Sequence, residues 1–72
     1  MSKLVTVSGR EALRRFEKKG WTLMRIHGSH AVMTRPGQVV NLTIPLHHEL
    51  GIGILRLIIH LSGLTVEEFN RL

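Results

Sequence analysis

The period of the apolar positions changes along this chain, and the changes divide it into elements. Ala12, Leu13 and Phe16 recur at the three-to-four-residue spacing of one helix face. Ser8 precedes Glu11 by three residues, the capping-box pattern of a helix start. Lys18 and Lys19 suit the negative end of a helix dipole, and Gly20 suits a left-handed C-terminal cap. The pattern predicts a first helix over residues 9–19. Its other face carries a basic stripe of Arg10, Arg14, Arg15 and Lys18.

From residue 21 to residue 46 the period shortens to that of strands. Residues 21–27 are rich in strand formers, Gly28-Ser29 supplies a tight turn, and residues 30–35 form the next strand. Pro36-Gly37 fits the central positions of a type II turn. Residues 39–46 alternate most cleanly, with Val40, Leu42, Ile44 and Leu46 on one face and Val39, Asn41 and Thr43 on the other. Alternation in the first two strands is less regular and leaves the faces of Arg25 and His30 unassigned.

Residues 51–62 are too apolar for a helix with one wet side. Ile52, Ile54 and Ile59 cannot all be covered by one sheet and one neighbouring helix, which predicts a partner surface. Gly63 ends this helix, and Thr65 with Glu68 forms a second capping box that opens a short last helix through Phe69. The order is helix, three antiparallel strands, helix, short helix. It predicts a single α+β domain over residues 1–72, a two-layer sandwich with both main helices on one face of the sheet.

Composition narrows the classes of function. Ten Lys and Arg against five Asp and Glu give a net charge of +5 in 72 residues, which favours an anionic partner, nucleic acid first. No cysteine is present, so disulfides and thiolate metal sites are excluded. No apolar run is long enough to span a membrane, and the N-terminal M-S-K-L-V-T-V-S lacks a signal-peptide core. A cytoplasmic protein with no membrane partner is expected.

The chemistry rests on histidines 27, 30, 47, 48 and 60. His27 and His30 differ by three on a strand-turn-strand path, and His47 and His48 are adjacent. No cysteine or carboxylate completes a recognisable ligand set, so no metal site or other cofactor is expected. Ser8, Ser29 and Ser62 lack a nucleophile elbow, and no carboxylate pair stands out. What remains is histidine among arginines and lysines. RNA carries its own nucleophile, the 2′-hydroxyl. Its cleavage needs a group of near-neutral pKa to move a proton and positive charge to stabilise the phosphorane-like transition state.

Four fragments occur in order: R-x-x-G-S-H at residues 25–30, I-P-L-H at 44–47, G-I-L-R at 53–56 and S-G-L-T-V-E-E-F at 62–69. Together they resemble HicA, the toxin family of HicAB toxin–antitoxin modules. The resemblance implies a fold like a double-stranded RNA-binding domain. It also implies a metal-independent endoribonuclease that cuts mRNA and is neutralised by a HicB antitoxin. The histidine of G-S-H is the catalytic residue in that family and falls here on His30, with Gly28 and Ser29 in its turn and Arg25 before it. The chain departs from the family pattern at Ala31, Ile52 and Ile54, where polar or basic residues are common.

On this reading His30 is the general acid/base, and Arg25, Ser29, Lys18 and Lys19 contact RNA, the lysines through diffuse attraction to the backbone. His47 sits where a strand ends and is read as structural or substrate-contacting. His27, His48 and His60 are read as structural or solvated, and Trp21 as a core residue. A non-catalytic RNA-binding module and a protein-interaction partner stay open as alternatives. The free toxin is expected to be a monomer, with higher order arising in the complex with its antitoxin.

Overall fold

A computed structural model of the protein describes residues 3–72. Residues 1–2, where the N-terminal stretch and the expected 1–72 domain both begin, lie outside the described residues. The first helix, α1 (Gly9–Lys18), starts where Ser8 turns its hydroxyl to accept the Glu11 N–H at 3.1 Å. Only half of the expected capping box forms. The Glu11 carboxylate pairs with Arg14 and Arg15 (Nε to oxygen 2.9 and 2.8 Å) instead of returning to the cap. At the other end Gly20 takes φ 92°, and the N–H groups of Gly20 and Trp21 bond the carbonyls of Glu17 and Phe16. These two bonds make a Schellman motif, which sends Trp21 into the core beside Phe16.

Three strands follow, β1 (Thr22–His27), β2 (His30–Thr34) and β3 (Leu42–Pro45), in the sheet order β1-β2-β3 with both pairings antiparallel. Ala31 and Met33 on β2 and Leu42 and Ile44 on β3 are all 0 % exposed and define the covered face. α1 lies over β1 and β3, and the second helix, α2 (Ile52–Ser62), lies against β3. The last helix, α3 (Val66–Asn70), packs on α2 and closes the core from one side. Its Phe69 ring stacks 5.3 Å from Phe16, with the Arg15 guanidinium 4.9 Å above it. Full burial of each large apolar side chain stabilises the fold by about 1.5–3 kcal/mol. The result is the expected α+β two-layer arrangement, with the other face of the sheet left open.

β3 begins at Leu42 rather than at Val39: its ladder with β2 ends at the Met33–Leu42 pair, and continuing the register would set Val40 and Val39 against Arg35 and Pro36, beyond the end of β2 at Thr34. The intervening Pro36-Gly37 turn closes with the Gln38 N–H on the Arg35 carbonyl, Gly37 taking φ 84° as a type II turn requires. Val39 is left fully exposed. On α2 the apolar surplus is only partly covered, in line with the expectation. Ile59 is 2 % exposed and belongs to the core, while Ile52 and Ile54 are exposed and are joined by Leu57 and Leu61. Ile54, Leu57 and Leu61 recur at three and four residues and make one apolar stripe along the helix.

Candidate active site

The G-S-H segment is the tip of the β1–β2 hairpin. Gly28 has φ 63°, and no non-glycine among the described residues, Ser29 included, has positive φ, so Gly28-Ser29 has the φ signs of a type II′ turn, with glycine at the first central position. A two-residue loop of this kind pairs the residues on either side of it, and His27 stands directly opposite His30. Next along the ladder Ile26 faces Ala31 and Arg25 faces Val32; across β2, His30 faces Pro45 and Val32 faces Thr43.

Paired residues share a face of the sheet. Ala31 and Met33 point into the core, so His30 and Val32 point out of the open face, and with them His27 and Arg25. Counting by twos from Leu23, which faces Met33 on the covered side, would put Arg25 in the core. A β-bulge between Leu23 and Arg25 inserts Met24 as the extra residue and turns Arg25 outward. Cβ atoms of directly opposed residues lie about 4.5–5.5 Å apart and diagonal ones about 7–8 Å, within reach of a long side chain. Arg25, His27 and His30 are all exposed. Thr43 and Pro45, on the same face of β3, carry no charge.

Backbone contacts hold this tip in place. The Ser29 carbonyl accepts the Leu46 N–H at 2.7 Å, tying the turn to the residue after β3. One residue further on, the His47 carbonyl accepts the Gly9 N–H at 2.9 Å. A Cβ on Gly9 would lie 2.0 Å from the Pro45 carbonyl oxygen and 2.8 Å from the Leu46 Cα, so only glycine lets α1 come this close. His47 and His48 are exposed in the connection that follows. Leu50 then anchors that connection by donating its N–H to the Val7 carbonyl at 2.9 Å and accepting the Thr6 hydroxyl.

Of the sequence-predicted site residues, Arg25, Ser29 and His30 come together here. Lys18 and Lys19 do not. They lie at the C-terminal end of α1, which leads through Gly20 to Thr22 and so to the far end of the hairpin, where Thr22 faces Thr34. Lys19 lies near α3. There the Glu68 carboxyl is held below its ordinary range, first by the Thr65 N–H and hydroxyl and then by the charges of Lys19 and Arg71. Trp21 is buried, as a core residue.

Sequence reasoning missed that His27 stands opposite His30 on one face. The available signal was the two-residue turn itself, which puts residues three apart opposite each other on one face. Among the described residues no cluster of three or more His, Cys, Asp or Glu is arranged to hold a metal ion. No helix among them is long and apolar enough to cross a membrane.

Among curated proteins no relative matches this chain. The family model described as the HicA toxin of bacterial toxin–antitoxin matches residues 9–64. The match runs from the first residue of α1 to just past the cap of α2 and includes the whole sheet, the hairpin tip and both main helices. A toxin of such a module has an antitoxin as its partner. The chain belongs to the HicA toxin family, the toxin component of a toxin–antitoxin module.

Proposed function

We propose that this toxin is an endoribonuclease that cleaves mRNA without a metal cofactor, with His30 as general acid/base. The observation that carries the reading is the exposed His30 beside Arg25 on the open face of the sheet, on a hairpin tip fixed by backbone hydrogen bonds. A neutral imidazole takes the proton of the RNA 2′-hydroxyl. The 2′-oxygen then attacks phosphorus, and the 5′-oxygen leaves with a proton. The Arg25 guanidinium faces the non-bridging oxygens, where charge develops. The products are a 2′,3′-cyclic phosphate and a 5′-hydroxyl end. Ser29 lies against the same strand of RNA, while Lys18 and Lys19 attract the backbone from the far end of the sheet by salt-dependent, sequence-independent forces.

The antitoxin is of the HicB type and covers the open face with its Arg25 and His30. The apolar stripe Ile54, Leu57 and Leu61 gives it a second, water-excluding contact. The protein acts in the cytoplasm, where mRNA is.

The test uses labelled single-stranded RNA, the purified protein and its His30→Ala variant, with excess chelator throughout. The expected result is cutting by the wild type, binding without cutting by the variant, and new ends that carry 2′,3′-cyclic phosphate. If both proteins bind and neither cuts, the chain is an RNA-binding module and the nuclease reading fails.

A further inference from the structure

We infer that His27 is the second proton-transfer group of this site and works with His30 across the hairpin, an inference that rests on the ribonuclease reading above. Transesterification of RNA moves two protons. One leaves the 2′-oxygen as its bond to phosphorus forms. The other must reach the 5′-oxygen as its bond to phosphorus breaks. A single imidazole does these in turn. Two imidazoles do them together, the neutral one accepting from the 2′-hydroxyl and the protonated one donating to the leaving oxygen. After the step the two rings have exchanged protonation states, no net charge has been created, and proton exchange with water resets the pair.

The hairpin imposes the required arrangement. The Gly28-Ser29 turn leaves His27 and His30 as directly opposed residues on adjacent strands, with Cβ atoms about 4.5–5.5 Å apart, so a phosphate above the open face is flanked by one ring on each strand. Both side chains are exposed, and among the described residues neither imidazole has a hydrogen-bond partner in the protein. Burial and a structural hydrogen bond therefore do not account for His27. Arg25, two residues before His27 and so on the same face of β1, completes the set with a fixed positive charge. The charged and titratable groups that face His27 are Arg25 on its own strand and His30 on β2. β3 presents only Thr43 and Pro45 to this face, with His47 just beyond its end.

The experiment measures kcat and KM for a short RNA from about pH 5 to 9 for the wild type, His27→Asn and His30→Asn, with His60→Asn as control. Asparagine keeps a polar side chain and cannot titrate. All three variants alter exposed side chains, and matching melting curves establish that they fold. The wild type is expected to give a bell-shaped profile. His27→Asn is expected to lower kcat by about 10²- to 10⁴-fold with KM within about 3-fold, and to remove one limb of the bell. His30→Asn should remove the other limb. A His27→Asn protein that keeps kcat and both limbs, or loses only in KM, overturns the inference while leaving His30 and the ribonuclease reading intact. A wild type that binds RNA and does not cut it overturns both.

Discussion

The two faces of the sheet differ by one residue's step along each strand. On β2, Ala31 and Met33 face the helices and are sealed from water, while His30 and Val32 face outward. On β3, Leu42 and Ile44 are sealed, while Thr43 is exposed. Because side chains alternate with a period of two, packing and chemistry share a backbone without sharing volume. The covered face holds the fold together by apolar burial. The open face contributes little to stability and is free to carry cationic and titratable groups, since their desolvation does not have to be offset.

Substitutions on the two faces should therefore separate rate from stability. The largest effect belongs to the open face: His30→Ala should lower RNA cleavage by about 10²- to 10⁴-fold, with a melting temperature that stays within a few degrees of wild type. Loss of folding in parallel with loss of cleavage would break the separation. Next comes the covered face. Leu42→Ala should cost about 2–5 kcal/mol in chemical denaturation, a large share of what a domain of this size has, and cleavage should fall only as the folded fraction falls.

A smaller effect lies away from both faces, on α1. The Arg14 and Arg15 side chains bonded to Glu11 hold its carboxyl near pKa 2, against an ordinary value of 4.5. A carboxyl with a depressed folded-state pKa stabilises the fold above its unfolded pKa, and that stabilisation disappears as pH falls from about 4.5 to about 2. Solvent screening of this partly exposed pair limits it to about 1 kcal/mol. Glu11→Gln should lower stability by about that amount at neutral pH and flatten the acid limb of the stability curve. An unchanged acid limb would show that the pair contributes nothing. The smallest effect sharpens the comparison: Thr43→Ala, one residue from Leu42, should shift stability by no more than about 0.5 kcal/mol. A larger loss would mean that the cross-strand contact with Val32 and threonine's strand preference carry stability on the open face as well.

The sequence pattern reveals some of these features and hides others for specific reasons. The helix starts at Ser8 and Thr65, the Gly20 and Gly63 stops and the two turns are all local chemistry, and each stands where the pattern puts it. The early end of the third strand is non-local. Val39 and Val40 have the composition of a strand, but pairing stops where β2 runs out. The face of Arg25 is hidden because a bulge is an insertion in the ladder, invisible to any count by twos along one strand. Glu11 has the spacing to serve its cap, yet two arginines within one turn outcompete a backbone N–H for it. On α2, Leu57 and Ile59 have equal hydrophobic character, and only the position of the sheet decides which one is covered.

Gly9 gives the fold a genetic signature. Its backbone sits where no side chain fits, against the Pro45–Leu46 peptide that also latches the hairpin tip through Ser29. In a population of cells selected for escape from this toxin, every missense codon at position 9 should score as a loss of poison, as those at His30 should on the proposed mechanism. Changes at nearby Arg10, whose side chain is exposed on α1, should pass through the same selection without rescuing growth.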